Sequence, residues 1–323
     1  MSPTSLSELP EEMLRRILRL LPPSDLKTAM LVSKLWKSMV EDPNLWTWVV
    51  VSVKTSLDLH RLKIHRLQLI QMIRLPPSDR INSVCKPEDL GKLFQVVLDI
   101  TSITMIHGIE NYDLGSIEPC LLGQVLGKLD VLKLNAHRNL SSVQLEHILT
   151  TIAERKSPMK ELLVVGLWVD DLSPTLFASA GSNVKKLVLS VCDEDQMLAL
   201  LQGIVDSGRP LAKLHLTSCS MDSINQELVG KALNKLDEVV VSNCRYGWVS
   251  HDQLTATFRG VLEEESKLKN LMLNDISSYA KGIDEELLRQ TFKKIGKFWS
   301  RIKKVVDAYQ EELIRLGAIA IFD

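Results

Sequence analysis

Aromatic side chains are scarce in this chain, at 5% of residues, and no apolar run approaches the roughly 18 residues needed to cross a bilayer. The opening stretch, MSPTSLSELPEE, places no basic region ahead of an apolar one, so neither secretion nor membrane insertion is expected. An excess of one charge is also missing. With 39 basic against 40 acidic side chains the formal net charge is -1, which leaves no global footprint for nucleic acid or anionic lipid. Cysteines are few: Cys85, Cys120, Cys192, Cys219 and Cys244 are odd in number and lack CxxC spacing, which argues against a disulfide framework or a zinc site. A reduced cytoplasmic or nuclear setting is the expectation. Nothing resembling GxGxxG, GxxxxGK[ST], HExxH or GxSxG occurs, and the seven histidines are scattered. No catalytic residue, metal or cofactor is therefore expected.

What is present is ordinary for a globular protein: 45% hydrophobic and 24% charged residues in a chain of 323. That length fits two domains or one elongated repeat array.

Internal periodicity decides for repeats. VKKLVLSVC from Val184, LAKLHLTSC from Leu211 and LDEVVVSNC from Leu236 superimpose without gaps, each reading apolar, two residues, apolar, one residue, apolar, two residues, Cys. The frame also fits LDVLKLNAH from Leu129, MKELLVVGL from Met159 and LKNLMLNDI from Leu268. Two weaker frames extend the series upstream, LFQVVLDIT from Leu93 and IHRLQLIQM from Ile64. Between frames the apolar period turns helical, as in SSVQLEHILTTIAERK and DEDQMLALLQGIVDSG, with Asp193 and Ser250 as N-cap candidates and Gly208 at a helix end. A strand-plus-helix unit cannot bury both its apolar faces alone, so successive units must stack. This pattern resembles the cysteine-containing leucine-rich repeats over residues 57–276, about eight irregular repeats. The resemblance makes Cys192, Cys219 and Cys244 small buried side chains at strand ends.

Upstream, LSELPEEMLRRILRLLPPSDLKTAMLVSKLWKSMVEDPNLW (residues 6–46) reads as three short helices punctuated by Pro10, Pro22, Pro23 and Pro43. Met13, Leu14, Ile17, Leu18, Leu20 and Leu21 cover too wide an arc for one helix of so small a bundle, and surplus apolar surface implies a partner. The segment resembles the F-box, by which substrate receptors dock on the Skp adaptor of Skp-cullin-F-box ubiquitin ligases. The match is carried by Leu9, Pro10, Glu12, Ile17, Leu20, Pro23, Leu26, Leu31-Val32-Ser33, Trp36 and Leu45-Trp46. Ser33 departs from the Cys many members have there. The resemblance implies adaptor contacts at Leu9, Pro10, Ile17, Leu20, Pro23, Leu26, Leu31, Val32 and Trp36, and a cullin scaffold reached through the adaptor.

A leucine-rich solenoid lines one face with parallel strands, and the fifth residue of each frame faces outward there. These residues are Gln68, Val97, Lys133, Leu163, Val188, His215, Val240 and Met272. Five of the eight are apolar on a face expected to be polar, so Val97, Leu163, Val188, His215, Val240 and Met272 are candidate substrate contacts. Trp168, Tyr246 and Trp248, in loops after strands, are added as interface-type aromatics.

From Asp284 onward, Leu288, Phe292, Ile295, Trp299, Ile302, Val306, Tyr309, Leu313 and Leu316 alternate at four and three residues. That spacing predicts a long helix capping the last repeat, or else a dimerisation or partner-binding helix. The expected architecture is an α/β solenoid: a flexible start (residues 1–5), a three-helix F-box-like module (6–53), a curved leucine-rich array (57–276) and a C-terminal helical cap (277–323). The resemblance implies a non-catalytic receptor that binds the Skp adaptor and an unidentified protein substrate, with no nucleic acid or membrane partner. The alternative is a leucine-rich scaffold or inhibitor that does not drive degradation.

Overall fold

A computed structural model of the chain describes residues 9–46, 50–52, 71–75, 87–100, 103–109, 112–135, 140–167, 172–192, 194–207, 211–217, 219, 223–242, 251–263, 266–273, 283–295 and 297–300. The chain divides into two compact units, Met1–Leu132 and Lys133–Asp323.

The first unit opens with helices α1 (Glu11–Leu20), α2 (Pro23–Ala29), α3 (Lys34–Glu41) and α4 (Pro43–Trp46). Strands β1 (Val50–Ser52), β2 (Met72–Arg74) and β3 (Met105–His107) follow, with α5 (Pro87–Asp99) and α6 (Pro119–Leu126) after β2 and β3, and β4 (Val131–Asn135) begins at the end of the unit. These strands pair in parallel and in sequence order, with Met72 opposite Val50 and Met105, and Met105 opposite Val131.

The second unit repeats one helix and one strand. It runs α7 (Ser142–Glu154), β5 (Met159–Leu167), α8 (Pro174–Ser182), β6 (Val184–Cys192), α9 (Glu194–Ser207), β7 (Lys213–Thr217), α10 (Gln226–Asn234), β8 (Glu238–Ser242), α11 (His251–Leu262), β9 (Asn270–Leu273), α12 (Glu285–Lys294) and β10 (Lys297–Ser300). From β5 to β10 every neighbouring pair is parallel. Parallel neighbours need a crossover between them, and the intervening helix supplies it. The arrangement is an α/β solenoid with a helical module at its start.

The frames explain why the strands lie in this register. Met159, Val184, Leu187, Leu189, Leu214, Leu216, Leu236, Val239 and Val241 are all fully buried, and Cys192 and Cys219 are buried at the positions expected of them. Val184 sits opposite Met159, and Leu187 lies between Leu162 and Leu214. Each such side chain contributes about 2 kcal/mol when taken from water. One repeat alone cannot realise that gain, because its row is covered by the rows on either side. Cys85, Cys244, Asp193, Gly208 and Ser250 lie outside the described residues.

At four junctions the side chain of the residue that precedes a frame ties a helix end to the following repeat. Lys128 donates from Nζ to the carbonyls of Val97 and Ile100, and Asn183 Nδ2 donates to Ile152 O at 2.7 Å and Arg155 O at 3.1 Å. Lys235 reaches Val205 O and Lys294 reaches Glu263 O in the same way. The last carbonyls of a helix have no partner within it and carry its negative end, so a cation or amide from the next repeat satisfies both needs.

Two expectations need correction. The frame proposed from Leu93 is not a strand: it falls in α5, where Leu90, Leu93, Phe94 and Val97 form one fully buried helical stripe. Apolar residues at 93, 96 and 98 fit either period, and burial follows the helical one. The strand of that repeat is β3, with Ile103 and Ile106 buried and Gly108 at the third apolar position of the frame. Gly108 has φ +87°, and a Cβ there would lie 3.0 Å from Leu75 O, so close strand approach replaces an apolar side chain with none. The weak frame from Ile64 lies outside the described residues, and β2 begins eight residues later at Met72.

The second correction concerns the long helix expected from Asp284. Asp284 does cap α12, accepting from Leu287 N at 2.8 Å, but the helix stops at Lys294. Residues 297–300 then extend the sheet, with Phe298 opposite Leu271 and Trp299 opposite Met272. Ile295 is buried as the first residue of another frame, whose third apolar position is Ser300. The remainder of the heptad-like seam, residues 301–323, lies outside the described residues.

Candidate functional site

Two surfaces stand out, one in each unit. In the first, Leu14, Leu18, Leu26, Ala29, Met39, Val40 and Leu45 form the core of the helical module, with Leu9, Leu21, Met30 and Trp36 packed half-buried against it. Arg15 braces the bundle: it donates to Glu11 within α1 at 2.7 Å and pairs with Asp42 at the end of α3. Asp42 Oδ1 also accepts from Asn44 N at 2.9 Å. The Asn44 amide and the Arg15 guanidinium together hold the Asp42 carboxyl below its ordinary range, against the opposing effect of burial.

A folded-state pKa below the unfolded one contributes stability that is present above the unfolded value, near 3.8 for aspartate, and is lost as pH falls through the depressed value. Both partners are partly exposed, so the contribution is of the order of 0.5–1 kcal/mol. Asp42→Asn should lower the thermal midpoint at neutral pH, and its difference from wild type should shrink as the pH is taken below 4, measured by circular dichroism. A difference constant across that range would assign the effect to packing instead.

Outside this core a set of large apolar side chains faces solvent. Leu20 is 84% exposed, Leu31 86% and Val32 63%, and Met13 and Leu35 are also exposed. Leu31 and Val32 occupy the tight turn between α2 and α3, where their amides bond to Thr28 O and Ala29 O. Ser33 fixes where α3 starts, accepting from Trp36 N at 3.1 Å. The hydrogen-bonded turn and its cap therefore hold two apolar side chains in water, an arrangement that a monomer gains nothing from.

Of the expected adaptor contacts, Pro10, Leu20, Leu31 and Val32 are exposed and Leu9, Ile17 and Trp36 are half-buried. Leu26 differs: with 0% exposure it belongs to the core, because α2 turns it inward against α1 and α3. Pro23 starts α2, and its side chain lies outside the described residues. Met13 and Leu35 were not among the expected adaptor contacts, although Met13 belongs to the overly wide apolar arc of the first helix.

The second surface is the strand face turned away from the helices. Leu163, Val188, His215, Val240 and Met272 stand side by side in one row across β5 to β9, each half-buried, and the first four lie between fully buried frame residues. Lys133, at the same frame position in β4, is exposed. Val97, placed in this row from the sequence, is instead a core residue of α5. Gln68, Trp168, Tyr246 and Trp248 lie outside the described residues.

Beside the apolar row runs a charged one, two residues earlier in each frame: Glu161, Lys186, Lys213 and Glu238 in register. Lys186 pairs with Glu161 at 3.2 Å, Lys213 with Glu238 at 3.0 Å, and His215 Nε2 lies 2.8 Å from Glu238 Oε1. Partial burial would raise the Glu238 pKa, but the bonds from His215 and Lys213 outweigh it and leave the carboxyl below its usual range. This row was legible in principle, since strand alternation assigns the third frame residue to the same face as the fifth. Among the described residues no group of three His, Cys, Asp or Glu side chains is placed to hold a metal, and no helix is long and apolar enough to cross a membrane.

Comparison with known proteins bears on the helical module directly. The F-box-like family matches residues 6–52. Among solved structures, the leucine-rich repeat-containing protein LegL7 from Legionella pneumophila is similar at 17% identity, covering 84% of this chain and 87% of that one with a TM-score of 0.45. No curated protein matches the chain. The F-box-like match at residues 6–52 takes in helices α1 to α4 and strand β1, and parallel strands alternating with helices on a leucine-rich frame follow it in the chain.

Proposed function

We propose that this protein is a substrate-recognition subunit of a cullin-based ubiquitin ligase. The helical module docks on the Skp adaptor, the strand face of the second unit captures a protein substrate, and a conjugating enzyme carried by the cullin modifies it. The chain itself makes no covalent bond; it contributes by raising the effective concentration of substrate lysines near the enzyme. A cytoplasmic or nuclear location follows from that role. The observation that carries the reading is the solvent-facing set Leu20, Leu31 and Val32 within an F-box-like segment. F-box domains generally bind the Skp adaptor, and apolar side chains held in water by a rigid turn are suited to a preformed interface.

The test is titration of the purified chain with Skp adaptor. A Leu20→Ala, Leu31→Ala, Val32→Ala variant should bind at least about 100-fold more weakly, since buried apolar anchors dominate such interfaces. Its melting curve should match the wild type. A wild-type chain that does not bind the adaptor would overturn the proposal.

A further inference from the structure

We propose that the element captured by the strand face of the second unit is an amphipathic α-helix of the partner protein, laid across the strands, with acidic side chains at its centre and basic ones toward its ends. This rests on the receptor reading and specifies what that receptor takes.

Backbone chemistry favours a helix over an extended peptide. The backbone groups of β5 to β9 bond in the plane of the sheet to their parallel neighbours. An extended segment lying over Leu163, Val188, Val240 and Met272 would find only side chains beneath it. Its own N–H and C=O groups would be desolvated without partners, each at a cost of about 1–3 kcal/mol. A helix satisfies those groups internally and offers the face only side chains.

Spacing points the same way. Neighbouring strands lie about 4.8 Å apart, so the five residues from Leu163 to Met272 span about 19 Å. One face of a helix presents a side chain about every 5.4 Å, one per turn. An extended chain presents one about every 6.7 Å and falls out of step with the row after two strands.

Charge sets the polarity pattern. The row alongside reads Glu161, Lys186, Lys213, Glu238, which is negative, positive, positive, negative. Lys186 and Lys213 are directly opposite on adjacent strands, a destabilising like-charge juxtaposition that their outward carboxylates only partly relieve. A partner carboxylate over that pair is attracted to both ammonium groups, and partner cations fit over Glu161 and Glu238. On the other side of the apolar row Ser190 and Thr217 carry no charge, so only one flank of the helix is selected for charge.

The experiment uses the full chain and three fluorescein-labelled synthetic peptides of about 18 residues, read by anisotropy. One is a stapled helix with an apolar seam and a basic, acidic, acidic, basic flank. The second is the same helix with those charges swapped, and the third keeps the first sequence but carries two central prolines that prevent the helix. The matched helix should bind about tenfold tighter than the swapped one, the scale of two to three partly exposed ion pairs. In a Glu161→Lys, Lys186→Glu, Lys213→Glu, Glu238→Lys variant the preference should reverse. That variant keeps an acid–base pair at 161–186 and at 213–238 while giving up the His215–Glu238 contact, and its melting curve reports whether it folds. Equal binding of matched and swapped helices, or binding of the proline peptide as tight as the helix, overturns the inference. Adaptor binding is measured on the same preparation: a chain that binds adaptor and no helical peptide leaves the receptor reading standing and this inference overturned.

Discussion

Leu26→Ala is expected to abolish adaptor binding by unfolding the helical module, whereas Leu31→Ala is expected to weaken binding while leaving the module folded. Both are leucines in one short stretch, and both fall on the motif that carries the F-box resemblance. Leu26 has no exposed surface and packs among Leu14, Leu18, Met39 and Leu45. Truncating it leaves a cavity and costs about 2–5 kcal/mol. That is comparable to the whole stability available to a helical bundle of this size. Leu31 is 86% exposed and bears on no core, so its truncation should change stability by less than about 0.5 kcal/mol. As an interface anchor it should nevertheless cost about 2 kcal/mol of binding, roughly 30-fold. Circular dichroism melts paired with adaptor titrations check both halves. Equal loss of stability in the two variants would mean that Leu31 is buried in the isolated chain.

Asn234→Leu should have the largest effect in the second unit. This side chain ends α10 and donates from Nδ2 to Gly230 O at 2.8 Å and to Thr257 O at 3.1 Å, while Ser266 Oγ donates to its Oδ1 at 3.0 Å. It thus connects α10 to α11 and to the approach of β9. Space around it is filled: a Cβ on Gly260 would sit 2.3 Å from Asn234 Nδ2. Leucine cannot make these bonds, and the Ser266 hydroxyl and Thr257 carbonyl are left with one partner fewer. A loss of about 3 kcal/mol is expected, from two or three hydrogen bonds at 1–1.5 kcal/mol each. The readout is the urea midpoint of the full chain, with hydrogen exchange showing that α10 and α11 lose protection first. A midpoint unchanged within error would refute this account of the junction.

How far the sequence alone reached depended on what each repeat position carries. The frames from Val184, Leu211 and Leu236 were legible because three apolar residues and a cysteine recur at fixed spacing, and nothing but a half-buried strand needs that spacing. The frames at Ile103 and Ile295 are not legible in the sequence because Gly108 and Ser300 occupy their third apolar positions. At Gly108 the demand comes from the backbone of Leu75, a residue distant in sequence, so no local pattern encodes it. The stretch from Leu93 satisfied strand and helix spacing at once, and only the burial of Leu90 and Phe94 alongside it selects the helix.

The two candidate surfaces divide in the same manner. That the N-terminal helices hold more apolar side chains than so small a core can bury is a fact of composition, and the order of prolines, Ser33 and Trp36 carries the family resemblance. The strand row Leu163, Val188, His215, Val240 and Met272 likewise followed from alternation by two, which local sterics impose on any strand. Which leucine of the helical module lies inside and which outside was decided by the packing of α1, α2 and α3, because identical side chains differ only in their neighbours. The charged row, with its two lysines face to face and a carboxylate outside each, exists only once β5 to β8 are in register, since residues some 25 positions apart become neighbours through the sheet.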